Sequence, residues 1–251
     1  MPVIDEHTLA IDIGGTGLKA TVLNAAGKPV HERVRIPTTF PCPPDKLVAD
    51  LAGLVAPLPA YQRVSVGFPG VVRGGKVRTA PAFVTIGGLG TTVKDSLVEA
   101  WTGFDLAAAL QERLGKPTRV ANDADVQGAG AVTGRGIELV VTLGTGVGTA
   151  VFDHGRLALH LELAHHPLKG DKTYNEVLGD AARKKVGAKR WNKRVAKAVA
   201  VLDALIVPDS ILIGGGNAQR ITVDLGPKVT LVDNDDGLLG GIKLWDGDGI
   251  E

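Results

Sequence analysis

Asp12, Gly14, Gly15, Thr16, Gly17 and Lys19 crowd the end of an apolar run, the stretch Leu9–Ala20 reading LAIDIGGTGLKA. Residues of these types at this spacing suit phosphate. Glycines lack a Cβ and can take positive φ, so the N–H groups of Gly14 and Gly15 can approach an anion closely. Thr16 adds a hydroxyl donor, Lys19 a cation, and Asp12 a carboxylate able to hold Mg²⁺ through water. A plain glycine hairpin would use the same residues, because Thr21–Leu23 reads as a second strand and Asn24–Gly27 as its turn. The pattern is neither GxxxxGK[ST] nor a GxGxxG that opens a helix.

Two further clusters repeat the design. Val140–Thr149, VVTLGTGVGT, carries Thr142, Gly144, Thr145 and Gly146 after a β-rich run, and Ser210–Asn217, SILIGGGN, ends a third run at Gly214 and Gly215. Three strand-then-glycine turns in one chain argue for phosphate rather than for chance hairpins. Transfer of a phosphoryl group to a hydroxyl also needs a carboxylate to accept the proton, a donor held in line, and cations against the developing charge. Asn122 and Asp123 follow the apolar run Thr118–Ala121 directly, where a strand end meets a helix start. Either residue is also a good helix N-cap, which would explain it without chemistry. Glu162, His165 and His166 invite a metal reading, but the plainer reading of His166 as a surface residue is preferred, since three-ligand sites without supporting residues are rare.

The elements that must position these groups are legible in outline. The first third reads as β-hairpins, a Pro-rich crossing at Pro37–Pro44, an amphipathic helix near Asp45–Ala56 and a strand at Arg63–Phe68. Phe83–Lys94, rich in Gly and Thr, lacks periodicity and reads as a mobile loop. A helix over Leu106–Leu114 should stop at Gly115–Lys116–Pro117, ahead of the strand Thr118–Ala121. Beyond it come a helix from Asp123, strands at Glu138–Leu143 and Gly148–Phe152, a turn at Asp153–Gly155, a helical region from Tyr174 to Ile206, and the strand Ser210–Ile213. The helical region carries KKVGAKRWNKR over residues 184–194, a basic block that includes Lys193 and Arg194. Such a run is either a solvated helix face or a track for a polyanion.

The order and spacing of the clusters resemble the sugar kinase, actin and Hsp70 superfamily, and within it the ROK family, especially its polyphosphate glucokinase branch. The stretches that carry the resemblance are DIGGTGLK at 12–19, GFPG at 67–70, TAP at 79–81, ANDAD at 121–125, LGTGVG at 143–148, ELAHH at 162–166, KRWNKRV at 189–195 and IGGGN at 213–217. It implies an α/β, two-lobed, actin-like (ribonuclease H-like) fold with a cleft between the lobes. One lobe is expected over 1–116, completed by a helix over 237–251, and the other over 117–236.

The resemblance also implies roles. Asp123 would be the general base, with Asn122, Glu162 and His165 binding the sugar and Gly70 in GFPG shaping the wall of its site. Glu176, in TYNEVLG, would be a second sugar-binding glutamate, or else a solvated helix residue. Asp12, Gly14, Gly15, Thr16, Lys19, Thr142, Gly144, Thr145, Gly146, Gly214, Gly215, Lys193 and Arg194 would serve the donor, with Mg²⁺ at Asp12. Ala164 replaces the family's glycine, which questions the backbone there, since alanine resists positive φ. Relatives often carry a cysteine-rich zinc site next, but Pro167–Gly179 has no cysteine, so no structural zinc is expected.

The reaction implied is transfer from inorganic polyphosphate, and from ATP as a second donor, to the 6-hydroxyl of glucose. A strictly ATP-dependent kinase acting on glucose, another hexose or an amino sugar remains open. A non-catalytic sugar sensor is disfavoured, because only eight residues precede the first strand and the base and phosphate turns are both present. Composition agrees with a small-molecule enzyme: 251 residues, 44% hydrophobic and 22% charged, with a net charge of +1 that recruits neither nucleic acid nor a membrane. The one cysteine, Cys42, rules out an internal disulfide, and no secretory leader or apolar span is legible, so a cytoplasmic location is expected. A homodimer is the state many relatives adopt.

Overall fold

Two five-stranded sheets carry the chain in this computed structural model, which describes residues 6–232 and 236–245. The chain divides into one unit formed by Met1–Val126 with Leu238–Glu251 and another formed by Gln127–Gly237. In the first unit the strands are β1 (Thr8–Ile13), β2 (Leu18–Leu23), β3 (Val34–Ile36), β4 (Arg63–Phe68), the short ribbon β5 (Val72–Arg73) and β6 (Lys76–Val77), and β7 (Thr118–Asn122). Its helices are α1 (Pro44–Val55), α2 (Asp95–Trp101) and α3 (Leu106–Leu114), and α4 (Asp123–Ala131) crosses the boundary. The sheet runs β3-β2-β1-β4-β7, antiparallel from β3 to β1 and parallel from β1 through β4 to β7.

β4 and β7 are parallel strands with near-continuous apolar burial, as parallel strands covered on both faces require. α1 starts on Pro44 and buries Leu47, Leu51, Leu54 and Val55, one helical stripe. α3 is capped by Asp105, whose carboxylate accepts from Ala108 N, and stops where Gly115 turns left-handed at φ 65°. Phe68, Phe83, Trp101 and Phe104 form a chain of ring contacts at 5.5–5.9 Å, with Phe40 on Phe83 at 5.7 Å. That cluster anchors the segment expected to be a loose loop. There, Thr85 Oγ1 lies within hydrogen-bond distance of the Ala82 and Gly88 carbonyls, to one of which it donates, while Ile86 N donates to Thr92 O and Lys94 N to Val84 O. Aromatic anchoring and local hydrogen bonds, neither visible as periodicity, fold 83–94 into a turn.

The second unit repeats the arrangement. β8 (Ile137–Leu143), β9 (Val147–Asp153), β10 (Arg156–Leu157), the hairpin β11 (Pro167–Lys169) and β12 (Lys172–Thr173), β13 (Ser210–Gly214) and β14 (Val229–Leu231) accompany helices α5 (Tyr174–Leu178), α6 (Asp180–Val186) and α7 (Ala188–Ile206). Its sheet runs β10-β9-β8-β13-β14, with β8 and β9 an antiparallel hairpin and β8, β13 and β14 parallel. The region expected to be helical from 174 to 206 breaks at Gly179 and Gly187. Gly187 has φ 76°, and a Cβ on Gly179 would lie 2.6 Å from the Thr145 carbonyl, so both breaks need glycine. The expected boundary at 116/117 also moves: β7 pairs with β4, so Asn122 and Asp123 belong to the first unit.

α8 (Asp236–Lys243) follows, and residues 246–251 of the expected terminal helix lie outside the described residues. Ser65 on β4 donates to the Gly241 carbonyl, and Trp245 Nε1 donates to Ser65 Oγ at 2.8 Å. Two guanidiniums flank the indole, Arg119 at 4.6 Å and Arg63 at 5.3 Å from the ring centroid. Trp245→Ala should cost about 3 kcal/mol in lost burial and cation–π contact. For a chain this size that is a fall of roughly 6–12 °C in melting temperature. An unchanged melt would show that this attachment carries no stability.

Candidate active site

The first glycine turn is also a hairpin turn, joining β1 to β2 in register, Asp12 opposite Lys19 and Ile13 opposite Leu18. Gly14 N donates to Gly17 O at 3.0 Å, Thr38 Oγ1 donates to the Gly14 carbonyl at 2.6 Å, and Arg35 lies against Gly17, where a Cβ would come 3.1 Å from Nε. None of Gly14, Gly15 and Gly17 takes positive φ; a side chain would be tight at 14, against the Gly17 carbonyl, and at 17, against the Arg35 guanidinium. Thr16 stands exposed at the tip. Lys19 Nζ binds Asp12 Oδ2 at 2.8 Å with both side chains over a third exposed, so cation and carboxylate are presented together. One exposed carboxylate fits a hydrated Mg²⁺, which takes few protein ligands and keeps its waters. Among the described residues no group of three His, Cys, Asp or Glu is placed to hold a metal.

Asp123 opens α4 at the carboxyl end of β7, half-buried, with Oδ1 accepting from Ala124 N at 2.8 Å. The neighbouring strand allows this because a Cβ on Gly67 would meet Asp123 Cα at 3.3 Å. Asn122 is 6% exposed: its Oδ1 accepts from Ala124 N at 2.8 Å and its Nδ2 donates to Gly70 O at 3.0 Å. The capping and functional readings therefore meet in one residue, since Asn122 caps the helix and ties the base to GFPG. Gly70 is obligatory there, an added Cβ falling 2.1 Å from the Thr79 carbonyl. Asp125 is buried.

The second turn, Leu143–Val147, is likewise a hairpin, with Gly144 N donating to Gly146 O at 2.9 Å. Thr142, at the end of β8, pairs with Gly148 and with Gly214. Thr145 is exposed at the tip, and a Cβ on Gly144 would meet nothing within 4 Å, which leaves room for an anion. Sequence reasoning missed the braces. Asn217 donates from its backbone N to Leu143 O and from Nδ2 to Gly144 O, while Asn175 Oδ1 accepts from Val147 N at 2.6 Å. Gly215, at φ 88°, lies so close that a Cβ would be 2.5 Å from Leu143 O. The third glycine cluster thus supports the second turn; an Asn directly after three glycines was its only sequence signal.

Asp180 N also donates to the Gly144 carbonyl at 3.1 Å, seating α6 on this turn. Hydrogen bonds from Lys184 and Arg183 hold the Asp180 carboxyl down to about 2, and two cations answer its one negative charge. Beyond it the basic block divides by face. Trp191 is fully buried with Nε1 donating to Leu178 O at 2.7 Å, Asn192 is 1% exposed, and Arg194 donates to Val177 O at 3.2 Å. Lys185, Lys189, Arg190, Lys193 and Lys197 have no carboxylate within 4.0 Å among the described residues, and Lys189, Arg190 and Lys193 are exposed. Of the two donor residues expected here, Lys193 is on the solvated face and Arg194 is engaged in bracing.

Glu162 and His165 flank a 3-10 turn, Leu163–His165, and approach to 3.8 Å. Ala164 takes no positive φ and is buried in the core of this unit, so the doubt over glycine's replacement is resolved by an ordinary backbone. The Glu162 carboxyl is held below its ordinary value, chiefly by the His160 imidazole beside it, with burial opposing and the charges of His160 and His165 assisting. A depressed carboxyl is ionised at neutral pH; the stability it gives is present above the ordinary carboxylate value and lost as pH falls through the lowered one. Glu176 is otherwise engaged. Its carboxylate accepts from Thr173 N at 2.9 Å and Thr173 Oγ1 at 3.1 Å, a capping box on α5 that also lowers its pKa. The helix start thus engages Oε2 of this exposed carboxylate.

Comparison with known proteins matches the ROK family over residues 8–173. A polyphosphate glucokinase of Mycobacterium tuberculosis is 27% identical over 85% of this chain and 79% of its own. The crystal structure of an inorganic polyphosphate/ATP-glucomannokinase from Arthrobacter sp. strain KM superposes with a TM-score of 0.78 at 28% identity, covering 95% of this chain and 97% of that one. A ROK family glucokinase from Streptomyces griseus, crystallised with glucose and AMPPNP, shares the fold at 18% identity, with a TM-score of 0.72 over 95% of this chain and 98% of its own.

Proposed function

This chain belongs to the ROK family, and from that premise we propose that it is a hexose kinase transferring a phosphoryl group to the 6-hydroxyl of glucose, with inorganic polyphosphate as the preferred donor and ATP as a second. The observation that carries the reading is Asp123, placed at the end of a parallel strand beside Asn122, which bonds Gly70, with Gly67 packed closely on its Cα. A carboxylate so held accepts the hydroxyl proton as the oxygen attacks phosphorus, and the donor's next oxygen leaves with the bridging electron pair. Glu162 and His165 bind sugar hydroxyls, one as an ionised acceptor and the other through its exposed ring.

The glycine turns at 14–17 and at 144–146 each offer an exposed threonine, Thr16 or Thr145, and the N–H groups not used within the turn to phosphate oxygens. Asp12 would hold Mg²⁺ through water, and the ion supplies charge neutralisation on the donor. The exposed cations Lys189, Arg190 and Lys193 favour polyphosphate, because a chain of phosphates can extend along them where ATP ends in a nucleoside. Their placement on the helix that follows the Asp180 contact with the second turn supports the same reading. A coupled assay of glucose 6-phosphate with Mg²⁺, comparing long-chain polyphosphate with ATP at matched phosphate, tests it. Faster turnover with polyphosphate is expected; activity with ATP alone would return the cations to solvent.

A further inference from the structure

His160 stands out because nothing in the mechanism uses it, yet its side chain is only 9% exposed and its Nε2 lies 3.4 Å from Glu162 Oε1. The neighbouring His165 is 56% exposed and 3.8 Å from the other oxygen, Oε2, so the two rings divide the carboxylate between them. At 3.4 Å the His160 contact is a buried polar approach outside good hydrogen-bond geometry. The backbone fixes it. Ala158 N donates to Val151 O at 2.8 Å and Thr149 Oγ1 to Leu161 O at 2.9 Å, strapping residues 158–161 to β9. The stretch is irregular, bending at Leu159, and it brings the side chains of residues 160 and 162 together. Leu163 N then donates to Leu161 O at 2.9 Å, closing the chain into the turn that carries His165.

We propose that His160 is a positioning residue for the sugar site, a buried imidazole that orients the Glu162 carboxylate and keeps it an acceptor for hexose hydroxyls. The inference rests on the reading of Glu162 as a sugar ligand. A glutamate can turn about three side-chain bonds; a buried imidazole packed at one carboxylate oxygen restricts that freedom and leaves the other oxygen toward the exposed His165. His165, exposed, then contacts the sugar directly while His160 acts only through Glu162. Outer partners that orient a binding group in this way typically matter by about 10–100-fold.

The test is glucose binding without donor, by calorimetry, together with steady-state kinetics, on wild type, His160→Ala, His160→Gln and Glu162→Gln. His160→Ala should weaken glucose binding and raise its KM about tenfold, with kcat and donor KM little changed. His160→Gln, whose amide can donate from near the Nε2 position, should recover most of that loss. Equal loss in both His160 variants, or none in His160→Ala while Glu162→Gln binds weakly, would overturn the positioning role alone. Normal binding by Glu162→Gln, or no hexose binding by the wild type, would overturn the sugar-ligand reading and the inference with it.

Discussion

Asp123→Asn is expected to lower kcat about 10³-fold, in the middle of the range for loss of a general base. Glucose affinity should stay within about twofold, since the lost interaction is made only as the proton moves. Asparagine is the informative replacement because it keeps the volume and the helix-starting character of the site while removing the base. Asn122 would continue to cap α4 and to bond Gly70, so a loss of rate would not be a loss of fold. Rates and direct sugar binding, measured on the same preparation, separate the two. A variant within tenfold of wild-type turnover would remove Asp123 from the chemistry.

Replacing Lys189, Arg190 and Lys193 together by alanine should raise the KM for long-chain polyphosphate about 30-fold, taking about 0.7 kcal/mol for each exposed cation. The KM for glucose should not move, and ATP should respond far less because its charge does not extend along the helix. Alanine preserves helix propensity, and the buried face of α7, with Trp191, Val195 and Leu202, is untouched. Added salt should reproduce the effect in the wild type, since exposed charges are screened within about 10 Å at 0.1 M. An unchanged KM for polyphosphate would mean that the block is a solvated face and nothing more.

The turns were the most legible part of the chain. Glycines after apolar runs reflect a local demand, and each cluster falls at the end of a strand: β1, β8 and β13. Their division of labour was not legible. Gly214–Gly216 reads like the other two clusters, but the structure uses Gly215 and Asn217 to hold the Leu143–Val147 turn, a contact between residues over seventy positions apart. Long-range bracing has no periodicity. For the same reason Thr38, Asn175 and His160 carried no signal, whereas ThrTyrAsnGlu, residues 173–176, is a capping box whose local pattern was legible but unread. The basic block shows the limit of composition. Six positions of one charge look alike in sequence, whereas α7 turns Arg194 inward onto Val177 O and Lys193 outward. The domain boundary moved because β7 joins its sheet through pairing with β4, which local pattern cannot reveal.

The most direct test of the central claim is phosphorus NMR of the purified protein with Mg²⁺, glucose and either polyphosphate or ATP. The reading predicts a growing sugar 6-phosphate resonance, one equivalent for each phosphoryl group the donor loses, and none without sugar. Donor consumption that yields inorganic phosphate alone, or no consumption with glucose, mannose or an amino sugar, would contradict a hexose kinase.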